Sequence, residues 1–100
     1  MNFYFKSLGG PNAEAWVEDF ISSQCDWQVV SYAKIILQGD TACFIDDIRT
    51  PFPYRKKGYA SKIVNSLLER FETVEPIGVL PESKGFWDRF NMTDALGEEE

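Results

Sequence analysis

Three consecutive segments between residues 41 and 71 constrain the fold more than any other part of the chain. Residues 41–49 are rich in β-branched and aromatic types and predict a strand, and Pro51 and Pro53 then prevent further regular pairing. Apolar residues from 59 to 71 fall on two neighbouring stripes at helical spacing, which predicts a buried helix lying on a sheet. A strand, a loop and a helix in this order are typical of an α/β layer.

The loop between this strand and this helix is strongly basic. Residues 49–62 contain five of the ten lysines and arginines and no Asp or Glu, so they carry +5, while five basic and sixteen acidic residues give the remainder −11. Such a local excess indicates an anionic target. Gly58 directly precedes the helix, whose first N–H groups attract phosphate. The segment predicts a phosphate-binding loop; the alternatives are a solvated basic turn and a short nucleic-acid patch.

Four segments predict strands, and together they define the fold class. They span residues 2–8, 27–37, 41–49 and 76–80. The second and third are joined by a turn at 38–40 and form an antiparallel hairpin. The fourth follows the third through a helix, so we expect these two to be parallel and to splay apart where a ligand of the loop enters. The predicted class is α/β (α+β), with a mixed, largely antiparallel sheet of about four or five strands under packed helices.

Two further helices are predicted, one between the first two strands and one after the last. Residues 12–21 place apolar side chains at three- and four-residue spacing, with Asn12 as the cap and Trp16 and Phe20 in the core. Ser83 is expected to cap a last short helix that carries an aromatic cluster, more typical of core than of ligand contact, at Phe86, Trp87 and Phe90. We expect one domain over residues 1–96 and an acidic tail over 97–100.

Composition excludes several kinds of chemistry. The chain has no histidine, so it cannot use a Ser-His-Asp or Cys-His scheme. Its two cysteines, Cys25 and Cys43, form no CxxC pair, and we expect reduced structural thiols and no metal site. The net charge of −6 disfavours nucleic acid as a partner. No apolar run is long enough for a membrane span and residues 1–10 do not resemble a signal peptide, so we expect a cytoplasmic protein without a membrane partner.

The loop and its flanks resemble a known signature. Residues 45–58, IDDIRTPFPYRKKG, followed by YASKIVNSLLERF, are similar to the acetyl-CoA motif of the GNAT superfamily of acyl-CoA N-acyltransferases. The family's R-x-x-G-x-G/A loop is matched by Arg55 to Ala60, and GFWDRFNM at 85–92 is similar to its short FYxKxGF helix. The resemblance covers about half of the chain and identifies it as a short, truncated member.

The resemblance implies acetyl-CoA as co-substrate and assigns residues to it. Main-chain groups at the end of the strand would hold the pantetheine arm, and the loop and helix start would hold the pyrophosphate. The residues implied are Ile48, Arg49, Thr50, Arg55, Lys56, Lys57, Gly58, Tyr59, Ala60 and Ser61. Of the lysines, Lys56 or Lys57 would reach the pyrophosphate or the ribose phosphate.

The implied reaction is direct transfer of an acetyl group to a primary amine, either a small molecule or a protein lysine. For the general base we favour Asp46, because strand alternation places it on the same face as Ile48 and Thr50. Asp47 and water are its competitors, and both aspartates could instead be a solvated pair. Arg49 could form a salt bridge with Asp47 in place of facing a ligand.

The chain departs from the family pattern in two ways. Trp87 stands where the family often has the tyrosine that protonates the leaving thiolate, and an indole is no acid at neutral pH. Tyr54, Tyr4, Tyr32 or water would have to substitute. The chain also lacks a second N-terminal helix and two terminal strands of the family. These departures favour an alternative function, a noncatalytic CoA-binding or protein-interaction module, and suggest a homodimer that completes the fold.

Overall fold

Five strands form one sheet whose spatial order is the same as their order in the chain. The computed structural model describes residues 1–92, 94 and 95. The strands are β1 (Asn2–Gly9), β2 (Asn12–Ile21), β3 (Asp26–Gln38), β4 (Ala42–Arg49) and β5 (Thr73–Pro76). The helices are α1 (Tyr59–Arg70) and α2 (Lys84–Asp88), with short 3-10 turns at Phe52–Tyr54 and Pro81–Ser83. The predicted mixed, largely antiparallel sheet is confirmed, and the tail predicted at 97–100 lies outside the described residues.

The predicted helix at 12–21 is wrong, because this segment is strand β2. Its buried residues Ala13, Ala15 and Val17 recur every second position, as the pleat of a strand requires. Gly9 and Gly10 both have positive φ, 97° and 56°, and reverse the chain so that β2 pairs with β1. The sequence matched both periods, and strand pairing decided between them.

The same change of period moves two aromatic residues out of the core. Trp16 is only partly buried and Phe20 is 50% exposed. The expected core positions of both residues are therefore wrong, since a strand puts them on the face opposite Ala15 and Val17.

The parallel pairing of β4 and β5 is confirmed, but the predicted bounds of 76–80 are wrong, because β5 shares only Pro76 with them. Pairing runs from Ala42 with Thr73 to Ile45 with Pro76. One more bond follows, from the Ile77 N–H to the Ile45 carbonyl at 2.9 Å. The next two N–H groups, of Gly78 and Val79, donate at 3.1 and 2.8 Å to the Asp94 carboxylate. Residues 78–80 therefore leave β4, and the two strands diverge.

Helix α1 covers one face of the sheet, as its two apolar stripes predict. The helix contributes Ile63, Val64 and Leu67, all fully buried, and the sheet faces it mainly with small or β-branched residues such as Ala15 and Ile35. Small residues on the strands let the helix approach closely, which is the packing expected of an α/β layer. No helix in the described part of the chain is long and apolar enough to cross a membrane.

The remaining sequence expectations have mixed outcomes. Ser83 makes no capping hydrogen bond with its side chain, so the predicted cap of the last helix is wrong, while Trp87 in that helix is buried as expected. Cys43 is buried, and desolvation raises the pKa of its thiol to about 12. Cys25 is exposed in the turn between β2 and β3.

Candidate functional site

The basic loop enters α1 through two residues in the left-handed region. Lys56 has φ 63° and Gly58, the N-cap of α1, has φ 82°. This conformation is free for glycine but costs a lysine about 1–2 kcal/mol. Strain of this kind concentrates at binding sites, and alternating backbone conformations turn successive N–H groups toward one point.

The first N–H groups of α1 are available to a ligand. Gly58 has no side chain to cap them, and the first intrahelical bond runs from the Lys62 N–H to the Gly58 carbonyl at 2.9 Å. The preceding amides, those of Tyr59, Ala60 and Ser61, therefore have no intrahelical acceptor. They carry the positive end of the helix dipole, which favours an anion at this point.

The residues that carry these amides line a cleft of about 950 Å³ between α1, the end of β4 and α2. Every residue that the sequence assigned to acetyl-CoA lines this cleft, with the exception of Lys57. The full lining is Ile48, Arg49, Thr50, Pro51, Tyr54, Arg55, Lys56, Gly58, Tyr59, Ala60, Ser61, Glu82, Ser83, Phe86 and Arg89. Segments distant in sequence thus meet at one concave surface.

The cleft is electropositive, and one of its cations was not predicted. Arg49, Arg55, Lys56 and Arg89 line it, against one carboxylate from Glu82. Arg89 lies over the Phe86 ring, 5.2 Å from the guanidinium carbon to the centroid. The sequence placed the aromatic cluster of α2 in the core; the basic residue beside it was the signal that could have indicated a second role.

The Arg55 side chain is held against the loop. Its Nε donates to the Thr50 carbonyl at 2.9 Å, and its guanidinium carbon lies 5.8 Å from the centroid of the Phe52 ring. The remaining guanidinium N–H groups are left for other acceptors, because Nε supplies only one of the five donors. The loop is therefore connected to the end of β4 by the Arg55 side chain as well as by the continuous backbone.

A buried hydroxyl pair fixes the end of β4. Ser31, fully buried on β3, donates to the Arg49 carbonyl at 3.1 Å. The Ser31 and Thr50 hydroxyl oxygens are 2.8 Å apart, and because the Ser31 proton is already engaged, Thr50 is the donor of this second bond. The chain of two hydrogen bonds orders the backbone that the sequence assigned to the pantetheine arm.

A bulge in β4 places Asp46 beside the point where the strands diverge. Ile35 pairs with Ile45 and Lys34 pairs with Asp47, so Asp46 has no partner on β3. Asp46 is exposed and lines a small notch of about 80 Å³ between β4 and the residues after β5.

The bulge changes which residues share a face with Asp46. The alternation that was to place Asp46 with Ile48 and Thr50 is interrupted, since Ile45 and Ile48 now share the face that meets α1. That part of the prediction is wrong. The position of Asp46 in the notch is independent of it, and its role as a base stays a prediction. Asp47 binds Arg49, Nε to Oδ2 at 2.7 Å, as one alternative anticipated.

Trp87 reaches the same notch from α2. It is buried and lies among the notch residues with Asp46, the place that the resemblance gives to the tyrosine of other family members. Of the three tyrosines offered as substitutes, Tyr54 lines the adjacent cleft, while Tyr4 and Tyr32 do not.

Tyr59 connects the start of α1 to β2. Its hydroxyl donates to Asp19 Oδ2 at 2.7 Å, and this hydrogen bond lowers the pKa of the Asp19 carboxyl and raises the pKa of the Tyr59 phenol. The N-terminal ammonium group lies 3.5 Å from Asp19 Oδ1. The first turn of α1, whose amides face the cleft, is thereby tied to the sheet. Among the described residues, no group of His, Cys, Asp and Glu side chains is placed to hold a metal ion.

Comparison with known proteins finds similar structures but no match at the level of sequence. No protein-family model matches the chain, and no curated protein matches it. A mutant of the BH1408 protein from Bacillus halodurans superposes with a TM-score of 0.66 at 14% identity, over 93% of this chain and 66% of that one. The aminoglycoside N-acetyltransferase AAC(6')-Iy in complex with CoA gives 0.57 at 15% identity, over 92% and 71%.

A Pyrococcus furiosus protein provisionally assigned as an acetyl transferase gives a TM-score of 0.61 at 16% identity, over 92% of this chain and 66% of that one. The chain has a GNAT-like acetyltransferase fold. It spans about two thirds of the length of these structures. The GNAT-like fold predicted from the loop, the helix and the mixed sheet is therefore confirmed at the level of fold.

Proposed function

We propose that this chain is a cytoplasmic N-acetyltransferase that transfers the acetyl group of acetyl-CoA to a primary amine, on a small molecule or a protein lysine. One observation carries the proposal: the uncapped amides of α1, four basic side chains and the ordered end of β4 line a single cleft. The GNAT-like fold, shared with a protein in complex with CoA, supports it.

The cleft suits the anionic end of CoA. A pyrophosphate needs several donors at once, and the amides of Tyr59, Ala60 and Ser61 supply them with the helix dipole. Arg55 and Lys56 add charge from the loop, and Arg89 adds it from the opposite wall. The volume of about 950 Å³ lies near the upper end of ordinary ligand clefts, about 300–1,000 Å³, as an elongated ligand requires.

The reactive end would lie toward the notch. When bound, acetyl-CoA supplies a thioester whose carbonyl carbon can form a bond to an amine nitrogen as the carbon–sulfur bond breaks and sulfur leaves as thiolate. The main-chain groups of residues 48–50, held by Ser31, orient the arm. An Asp46 carboxylate oxygen would accept the proton that the ammonium group must lose before its nitrogen can attack. The second proton, which the nitrogen loses on becoming an amide, would pass by way of Tyr54 or water to the thiolate.

A noncatalytic CoA-binding module is the second candidate, and Trp87 favours it. A buried indole at the notch donates a hydrogen bond but does not ionise at neutral pH, so it cannot protonate a thiolate. This function requires the same cleft and no turnover. Both candidate functions therefore require CoA binding, and only the enzyme also transfers an acetyl group.

A thermal-shift titration with acetyl-CoA tests the binding step. A ligand that binds only the native state raises the melting temperature with concentration, and we expect Gly58→Glu to abolish this rise by placing a carboxylate at the phosphate site. Gly39→Glu is the matched control, because Gly39 also has positive φ, 66°, with open space around its Cβ position, and lies in the β3–β4 turn. An equal rise in both variants would refute the cleft as the binding site.

Turnover separates the enzyme from the module. We expect Asp46→Asn to lower kcat with acetyl-CoA affinity unchanged, and Asp47→Asn, which removes an exposed ion pair, to have a smaller effect. Binding without turnover on a panel of amines would favour the module. A cationic acceptor is expected from the acidic remainder of the chain, so kcat/KM should fall as ionic strength rises.

A further inference from the structure

The sheet has a second face that α1 does not cover, which we call the open face. Its residues lie opposite the buried side of the strands. Eight of them form two rows across β1 to β4, and none of the eight is buried. They are Tyr4, Lys6, Glu14, Trp16, Tyr32, Lys34, Asp47 and Arg49. Tyr4 is exposed and Trp16 and Tyr32 are half-buried. Accessible aromatic residues interspersed with charge are more typical of a contact surface than of a solvated one.

Strand pairing arranges the open face in rows, and one row alternates in charge. Lys6 pairs with Glu14, Glu14 with Lys34, and Lys34 with Asp47, so the signs from β1 to β4 are plus, minus, plus and minus. From β4 back to β1 the signs are minus, plus, minus and plus, so each position has the opposite sign to the same position in the forward order. A surface of this kind is complementary to a reversed copy of itself.

We propose that the open face binds a second copy of this chain, with the two-fold axis parallel to the strands and between β2 and β3. That rotation sets each β1 over β4 of the other copy and each β2 over β3. Lys6 then faces Asp47 of the partner subunit, and Glu14 faces Lys34 of the partner subunit. All four charges of the row meet an opposite charge.

The geometry tolerates the twist of real sheets. Strands are about 4.8 Å apart, so the inner strands lie about 2 Å and the outer strands about 7 Å from the axis. Packed sheets cross at about 30°, which displaces the inner contacts by about 1 Å and the outer contacts by about 4 Å. Lysine side chains are long and flexible enough to absorb both displacements.

The lysines of this row are free to make such contacts. Each is a cross-strand neighbour of Glu14, but within the described residues neither Lys6 nor Lys34 forms an ion pair with it. Glu14 accepts instead from the Tyr32 hydroxyl at 2.9 Å. The charges of Lys6 and Lys34 are therefore not neutralised inside one copy.

The neighbouring row is aromatic and ends in a cation. Tyr4 pairs with Trp16, Trp16 with Tyr32, and Tyr32 with Arg49, and the Tyr4 and Trp16 rings stack with centroids 5.5 Å apart. Under the same rotation, Trp16 faces Tyr32 of the partner subunit and Arg49 faces Tyr4 of the partner subunit. The first contact buries large apolar surfaces and the second is a cation–π arrangement.

Net charge also favours this face over others. Two chains of −6 repel each other over most of their surface, whereas the four charges of the alternating row cancel. Electrostatic repulsion between two copies is therefore weakest at the open face. The surface lies opposite α1, and of its eight residues only Arg49 also lines the proposed CoA cleft. The existence of the dimer does not depend on the proposed function.

Charge reversal tests the proposal by sedimentation velocity over a wide concentration range. The wild-type chain should sediment as a dimer. Glu14→Lys and Lys34→Glu should each weaken dimerisation at least about tenfold, because each puts two like-charge contacts in the interface. An equimolar mixture of the two variants should recover a dimer, since every contact between the unlike variants is again complementary, and the Glu14→Lys/Lys34→Glu double variant should dimerise by itself.

The controls separate association from folding and from ligand binding. Glu69→Lys makes the same charge change on an exposed position of α1 and should leave the dimer intact. All variants should keep the wild-type circular dichroism and acetyl-CoA affinity. A wild-type chain that is monomeric at every concentration, or a mixture that stays monomeric, would overturn the proposal, and so would dimers that both single variants retain.

Discussion

Removing the Ser31 hydroxyl should destabilise the chain and weaken its hold on CoA at the same time. Ser31 is fully buried and takes part in two hydrogen bonds, with the Arg49 carbonyl at 3.1 Å and the Thr50 hydroxyl at 2.8 Å. Each bond contributes about 1 kcal/mol, so Ser31→Ala should lower the free energy of unfolding by about 2 kcal/mol. For a chain of this size, each 1 kcal/mol corresponds to a fall of about 4–8 °C in Tm.

A double-mutant cycle checks this magnitude. Thr50→Val removes only the bond between the hydroxyls, so it should cost about 1 kcal/mol. Because Ser31→Ala has already broken that bond, adding Thr50→Val should cost almost nothing more, which gives a coupling of about 1 kcal/mol. Denaturant unfolding measures all four free energies. Additive losses, or a loss below about 0.5 kcal/mol for Ser31→Ala, would refute the hydrogen-bond chain.

The functional part of this prediction needs a control of equal stability. Val74→Ala removes buried methyl groups on β5, away from the end of β4, and should destabilise by a similar amount. In calorimetric titrations at a temperature where both variants are folded, Ser31→Ala should bind CoA more weakly than Val74→Ala. Equal affinities would show that ordering residues 49 and 50 does not matter for the ligand.

Three further predictions concern groups around the core. The pKa of Asp19 is lowered by the Tyr59 hydrogen bond, so this bond stabilises the fold above the ordinary carboxyl pKa and is lost as pH falls through the lowered one. Tyr59→Phe should therefore reduce stability at neutral pH and flatten the acid limb of a stability–pH curve; an unchanged limb would contradict the account. A thiol reagent should alkylate Cys25 rapidly and Cys43 only on unfolding, because the buried Cys43 thiol has a pKa of about 12; mass spectrometry of peptides showing equal labelling would refute this. Phe20→Ser should change the free energy of unfolding by less than about 1 kcal/mol, since Phe20 is half exposed. A fall of about 3 kcal/mol or more, the size expected for a buried aromatic residue, would contradict the strand assignment.

The part of the fold that local sequence specifies was predictable. The hairpin of β3 and β4 and the helix α1 each show one clear period and clear end signals, and the structure has them within one or two residues of the predicted ends. β2 was not predictable in the same way, because its apolar residues fit both a helix and a strand. Only pairing with β1 and β3, which is a long-range property, distinguishes the two.

The same distinction between local and long-range determinants applies to the candidate site. Its backbone component comes from two segments close together in sequence, Ile48 to Thr50 and Arg55 to Ser61, and the structure brings nearly all of it to one cleft. The bulge at Asp46 could not be predicted, because a bulge is defined by the partner strand. Arg89 was missed because its position depends on how α2 packs, and α2 follows a segment with little regular structure.

The central claim is that main-chain amides around Gly58 bind the pyrophosphate of CoA. Its most direct test is a titration of the ¹⁵N-labelled chain with CoA, followed by NMR. We expect saturable shifts that are largest for the amides of Gly58 to Ser61, with smaller shifts at Arg49 and Thr50. Saturable shifts centred elsewhere, or spectra that do not change at high CoA concentration, would contradict it.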